Sequence, residues 1–155
     1  SAPRKRAPSK KSLETKARIL DAAEDLFSKR GFDGTSIRDI AKQAGAQVAL
    51  VHHHGGPKEE LFQMVVARRA KPLAELRLKA LEDKKAAAEQ DGRNKLTLRE
   101  ILASFVQPFL EMTLSEDAPW PAYGRLIALV SADERWRDIA AECFDPTAAV
   151  FVDER

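Results

Sequence analysis

The stretch TSIRDIAKQAGAQVALVHHH, residues 35–54, decides the fold. Thr35 or Ser36 offers a side-chain oxygen to cap a helix running to about Ala44, with Ile37, Ile40 and Ala41 on its apolar face. Gly45 stops that helix, because glycine enters the left-handed conformation of a tight reversal at no steric cost. A second short helix is expected over about 48–54. Small Ala41 lets it cross close over the first, and Ile40 and Val51 supply the apolar contact between them. Helix, glycine turn and second short helix are the proportions of a helix-turn-helix, whose second helix enters the major groove of DNA.

Upstream, Ile19, Ala23, Leu26 and Phe27 recur at helical spacing, in a helix that starts near Lys16 and stops at Gly31. The first twelve residues, SAPRKRAPSKKS, hold two prolines, five cationic side chains and no large apolar group, so a flexible basic arm is expected over 1–14. Either it tracks the DNA backbone or minor groove, or it is a solubilising tail. Downstream, Gly55-Gly56-Pro57 breaks the chain, and Pro57 suits the first turn of a long helix through Leu61, Phe62, Val65, Val66, Leu73 and Leu76. Pro72 should kink or end it. Residues 83–95, DKKAAAEQDGRNK, read as a linker or frayed helix end. Leu98, Ile101, Leu102, Phe105, Phe109 and Met112 mark another amphipathic helix, with Pro108 a second expected kink. Residues 126–130 are apolar all round, as in a buried helix; Trp136, Ile139, Ala140 and Cys143 continue the pattern, and Asp145-Pro146 reads as a cap and helix start. No alternating strand pattern of useful length occurs. The fold class is all-α: a three-helix DNA-binding domain over 15–62, then a helical domain over 63–155.

Composition fits this reading. Hydrophobic content of 44% with 32% charged residues is that of a soluble globular chain. Its apolar runs are too short for a membrane span, and no apolar signal region follows the basic start, so a cytoplasmic location is expected. The single cysteine, Cys143, has no internal disulfide partner and is expected to pack as a small hydrophobe. The net charge of +2 conceals an asymmetry. Residues 1–70 carry 14 Lys and Arg against 8 Asp and Glu, whereas residues 71–155 carry 12 against 16. A basic front on an acidic body suits a polyanionic partner.

Residues 16–61, KARILDAAEDLFSKRGFDGTSIRDIAKQAGAQVALVHHHGGPKEEL, resemble the N-terminal domain of the tetracycline-repressor (TetR) family. The matching elements are Ile-Leu-x-Ala-Ala-x-x-Leu-Phe at 19–27, Gly31-Phe32, Thr35-Ser36, Ile40-Ala41, Ala44-Gly45, and Lys58-Glu59 with Leu61. The resemblance implies that the second short helix reads DNA. By position it implies Arg38, Gln47, Val48, Ala49 and Leu50 as base-reading candidates, and Thr35, Ser36, His52, His53 and Lys58 as phosphate-holding ones. Arg38 suits guanine and Gln47 adenine. Lys58 falls in the first turn of the following helix, whose dipole also favours phosphate.

The sequence departs from the family pattern at His52, His53 and Gly55, where aromatic side chains are usual, and at Pro57, where a capping serine is common. Loss of the aromatic at Gly55 implies a looser end to the recognition helix, ordering fully only on DNA. Adjacent side chains on a helix point about 100° apart, so His52, His53 and His54 do not converge on one metal ion. No metal or cofactor is expected, though imidazole titration would make DNA binding pH-sensitive.

For the second domain the resemblance implies an effector pocket and a dimer interface. Phe105, Phe109, Met112, Trp120 and Tyr123 are the candidates to line an effector cavity. Family members generally run longer and pair through their last two helices, so this domain is expected to be C-terminally incomplete or to dimerise through other surfaces. No Ser/His/Asp, Cys/His or paired-carboxylate arrangement points to an enzyme. The leading expectation is a dimeric repressor that binds a double-stranded operator and is released by a small molecule. The alternative is a shortened interaction partner of a related regulator that binds no operator itself.

Overall fold

Ser9 sets the first helix. In the computed structural model, which describes residues 7–117 and 119–144 without the side chains of 142–144, the Ser9 hydroxyl accepts from the Ser12 N–H at 3.2 Å. α1 (Lys10–Arg30) follows, so residues 10–14 are helical and not part of an arm. The cap and the good helix formers after it explain the earlier start. Residues 1–6, the rest of that arm, lie outside the described residues. Gly31, at φ 73°, closes α1 with its N–H on Phe27 O. Seven more α-helices follow among the described residues: α2 (Ile37–Ala44), α3 (Val48–Gly55), α4 (Lys58–Ala67), α5 (Ala70–Gln90), α6 (Leu98–Leu114), α7 (Trp120–Ala132) and α8 (Arg137–Phe144), with a 3-10 turn Glu134–Trp136 before the last. The described residues include no strand, and no helix among them is long and apolar enough to cross a membrane.

The chain divides into two compact units, Ser1–Val65 and Val66–Arg155. In the first, α1 packs on α2 and α3, and α2 on α3. Its core holds Ile19, Phe27, Ile40, Val51 and Leu61, all fully buried. Each such side chain contributes about 1.5–3 kcal/mol relative to exposure. Phe27 stands at the centre of an aromatic cluster, 5.0 Å edge-on to Phe62 and 6.1 Å from Phe32, with Phe32 and Phe62 at 5.3 Å.

The long helix expected from Pro57 is two helices. Arg68 and Arg69 form a turn between α4 and α5, and Pro72 sits in the first turn of α5. The proline ring would clash with the carbonyl four residues back, at Arg68, so the break falls there. Residues 83–90 are helical rather than linker. Ala86, Ala87 and Ala88 are strong helix formers, Ala88 is buried, and Lys79 pairs with Asp83 at 2.9 Å. Gly92, at φ 72°, ends α5: its N–H bonds Glu89 O, and the Arg93 N–H bonds Ala88 O.

In the second unit α6 packs against both α5 and α7, and α7 against α8. Thr97 and Glu100 cap α6 reciprocally, and Arg93 adds a two-pronged ion pair to Glu100 at 2.8 and 3.1 Å. Pro108 lies inside α6, which continues through it. Arg77 of α5 donates from Nε to Phe105 O at 3.0 Å, three residues before that proline, and its guanidinium lies 3.9 Å from the Phe105 ring centre. Gly124 lets α7 approach α6 closely, since a Cβ there would come within 2.4 Å of Thr113 Cγ2. The expected packing of the Cys143 side chain, and the helix start expected at Asp145-Pro146, lie outside the described residues.

Candidate nucleic-acid interface

The pair α2 and α3 is built by two caps and one reversal. The Ser36 hydroxyl accepts from the Asp39 N–H at 3.1 Å and starts α2. Gly45, at φ 62°, ends it: the Gly45 N–H bonds Lys42 O and the Ala46 N–H bonds Ala41 O. These are the two bonds of a glycine C-cap that reverses the chain directly into α3. Gln43 donates to Asp25 at 2.9 Å and Arg30 lies 3.7 Å from Asp39, tying α2 to α1 through polar contacts as well as the buried Ile40 and Ala41.

α3 turns two residues inward. Val51 and Gly55 are buried, one turn apart, while Val48, Ala49, Leu50, His52 and His53 are exposed. A Cβ on Gly55 would meet Leu61 Cδ1 at 2.7 Å. The buried leucine therefore fills the space that the resemblance assigned to an aromatic plug. This corrects the expected loose end: α3 is helical to Gly55 and closed by Gly56, at φ 66°, whose N–H bonds His52 O at 2.9 Å. At its other end Gln47 makes no side-chain cap, and the Leu50 N–H bonds Gln47 O at 3.0 Å. That feature was missed in the sequence, although a glutamine in place of Ser, Thr, Asp or Asn at the cap signals it.

Most of the DNA-contact candidates are exposed, at the start of α2 and on α3. Arg38, Gln47, Val48, Ala49, Leu50, His52 and His53 are exposed, and so is Ser36, whose hydroxyl is engaged as the cap. Thr35 departs from the expectation. It is 2% exposed, and its hydroxyl donates to Gly31 O at 2.8 Å, closing the loop before α2 instead of facing phosphate. Lys58 is half-buried, with its ammonium 4.2 Å from the centre of the Phe32 ring. His52 Nδ1 lies 3.3 Å from Gly56 O, and the rings of His53 and His54 meet edge to face at 5.0 Å. Burial, then the charges of His53 and Lys16, hold the His54 imidazole below its ordinary 6.5. Among the described residues no group of three or more His, Cys, Asp and Glu is placed to hold a metal.

The five effector candidates differ in their surroundings. Tyr123 is fully buried and meets Trp120 edge to face at 6.0 Å; Trp120 lies under the Arg69 guanidinium and Phe105 under that of Arg77. Only Phe109 among them lines a groove of about 310 Å³, with Thr113, Pro121, Gly124, Arg125 and Ala128. A helical spacing of aromatics places them in one layer, and packing then decides which face water. A second depression of about 470 Å³ lies between the end of α5 and the start of α6, lined by Leu81, Ala88, Leu96 and Ile101 among others; it contains none of the five.

Two family descriptions match the chain. "Bacterial regulatory proteins, tetR family" covers residues 19–65, and "Tetracyclin repressor-like, C-terminal domain" covers residues 103–154. The HTH-type transcriptional repressor Rv3405c of Mycobacterium tuberculosis is 47% identical over 53 residues, 34% of this chain and 28% of that protein. The HTH-type transcriptional regulator AcrR of Shigella flexneri is 32% identical over 112 residues, 72% of this chain and 47% of that protein. The matched part thus spans about a quarter to a half of the length of these relatives. A crystal structure from Pseudomonas aeruginosa PAO1, of a protein described as a transcriptional regulator, superposes with a TM-score of 0.56 at 20% identity, covering 89% of this chain and 62% of that one. At that identity the likeness concerns the fold.

Proposed function

The chain belongs to the TetR family of bacterial regulatory proteins, and on that premise we propose that it is a sequence-selective DNA-binding transcriptional regulator, dimeric and cytoplasmic, that represses until a small molecule releases it. One observation carries the DNA-binding part. α3 is anchored by Val51 and Gly55, with His54 half-buried, and turns Val48, Ala49, Leu50, His52 and His53 into water. A short helix presented this way fits a major groove, where apolar contacts read the thymine methyl and amides read base edges.

In this reading Arg38 and Gln47 carry most of the base discrimination, each good pair contributing about 1–3 kcal/mol. Val48, Ala49 and Leu50 supply shape and methyl contacts. Ser36, His52, His53 and Lys58 hold phosphates, with Lys58 leaving the Phe32 face to do so. Thr35 positions the loop. Repression rests on the described role of the mycobacterial relative. In this reading the effector binds in the groove beside Phe109 and Arg125, and a guanidinium suits a ligand with an acidic group. Selection of bound sites from random duplex DNA tests the proposal: it should enrich one two-fold-symmetric sequence, and recovery of an unenriched pool would reject it.

A further inference from the structure

Surface cations of the first unit differ in whether a carboxylate answers them. Lys10, Lys29 and Arg30 lie within 4.0 Å of Glu14, Asp25 and Asp39. The side chains of Arg18, Arg38 and Lys42 are exposed, and they make no ion pair or hydrogen bond among the described residues. Arg18 is the informative one. Glu14 stands four residues before it on α1 and Asp21 three after it, the spacings at which helix neighbours pair. Its guanidinium turns across to the helix-turn-helix instead: Nη1 lies 4.0 Å from the point a Cβ on Gly45 would occupy. Gly45 is the reversal between α2 and α3, and Lys42 precedes it by three residues, one turn beyond Arg38 on the same face of α2. The acidic groups nearby are engaged elsewhere, Asp39 with Arg30, and Asp25 with Lys29 and Gln43. Positive charge brought to the reversal from α1 is thus left without a counter-charge within the unit, which suits a partner that brings its own.

Resting on the DNA-binding reading above, we propose that Arg18 holds a backbone phosphate of the operator, at the end of α3 away from Lys58. In a helix-turn-helix complex the first helix crosses the sugar-phosphate backbone while the second enters the groove. The reversal that joins them follows the first helix, and Arg18 reaches it from a third helix, α1, outside the motif itself. A guanidinium matches phosphate with two parallel hydrogen bonds as well as charge. Such a contact fixes how the recognition helix is seated and carries no base information, so its loss weakens matched and mismatched duplexes alike.

Affinity of the full chain for its selected duplex, measured at 50 and 200 mM salt, tests the assignment. Over that range one phosphate contact changes affinity about 3.5-fold, so the wild type should lose about 3.5 times more than Arg18→Ala does. Arg18→Lys should restore most of the difference, and Lys29→Ala, which removes a paired cation, should keep the wild-type dependence. The thermal midpoint of Arg18→Ala should match the wild type, because no internal partner is lost. Duplexes with one neutral methylphosphonate at a time then locate the contact. One linkage should weaken the wild type but not Arg18→Ala, and it should differ from the linkage silenced in Lys58→Ala. Selective binding with an unchanged salt dependence in Arg18→Ala, or with no linkage silenced, overturns the Arg18 contact and leaves the DNA-binding reading standing. A wild type that binds no duplex overturns both.

Discussion

α3 and α6 both hold aliphatic side chains in water, and they do so to different extents. On α3 two of them, Val48 and Leu50, sit among histidines, a glutamine and an alanine on a helix of eight residues. On α6 five of them form an unbroken ridge along seventeen residues. A short, mixed face with one anchoring turn suits a polar groove that offers hydrogen bonds and an occasional methyl group. A long aliphatic ridge calls for apolar cover instead. Exposed apolar surface is informative in both cases, and its length and composition say what kind of partner it meets.

Core and surface substitutions should separate the two regions most widely. Phe27→Ala empties the aromatic cluster of the first unit and should cost about 3–5 kcal/mol in urea unfolding, whereas Leu110→Ser on the α6 ridge should change monomer stability by no more than about 0.5 kcal/mol. If Leu110→Ser destabilised the monomer as strongly, the ridge would be core. Arg38→Ala should remove about 1–3 kcal/mol of discrimination at one base position, measured by competition between matched and single-mismatch duplexes. Lys58→Ala should instead weaken every duplex alike and reduce the salt slope by about 0.9. Gly45→Ala forces a side chain into the left-handed region and should cost about 1–2 kcal/mol of thermal stability, with affinity for DNA falling beyond that because α3 is re-aimed.

Acid should also discriminate between the units. His54 is held below 6.5 by burial, His53 and Lys16. As pH falls below about 6.5 the unfolded chain takes up that proton before the folded one does. The first unit should therefore lose stability from that point down to the folded pKa, and His54→Gln should abolish this part of the pH dependence. Glu100 is held at about 2 by Arg93 and Thr97. Its contribution to the second unit is present above the ordinary glutamate range and lost as pH falls through about 2. Amide exchange against pH should thus show α1–α3 loosening before the start of α6.

The helix-turn-helix was legible in the sequence because local signals agree there: Ser36 caps, Gly45 reverses, and Ile40 and Val51 point the same way. Where the reading failed, the deciding contact comes from elsewhere in the chain or from a competing hydrogen bond. Thr35 looks like a second cap, but the Gly31 carbonyl takes its hydroxyl. Gly55 looks like a missing plug, but Leu61, six residues on, fills the space. Polar residues 83–90 look like a linker, but their alanines and a single buried contact at Ala88 extend α5. For the aromatics of the second unit, spacing alone does not say which of them lines the groove beside Gly124, since that depends on how α7 crosses α6 there.

The most direct test of the central claim is a side-chain NMR titration of the intact chain with its selected duplex and with a scrambled one. Methyl and imidazole signals of Val48, Ala49, Leu50, His52 and His53 should shift on the selected duplex alone, while the Val51 methyls hold their contacts with the core. Equal shifts on both duplexes, or changes that leave α3 untouched, would contradict an outward helix that reads DNA.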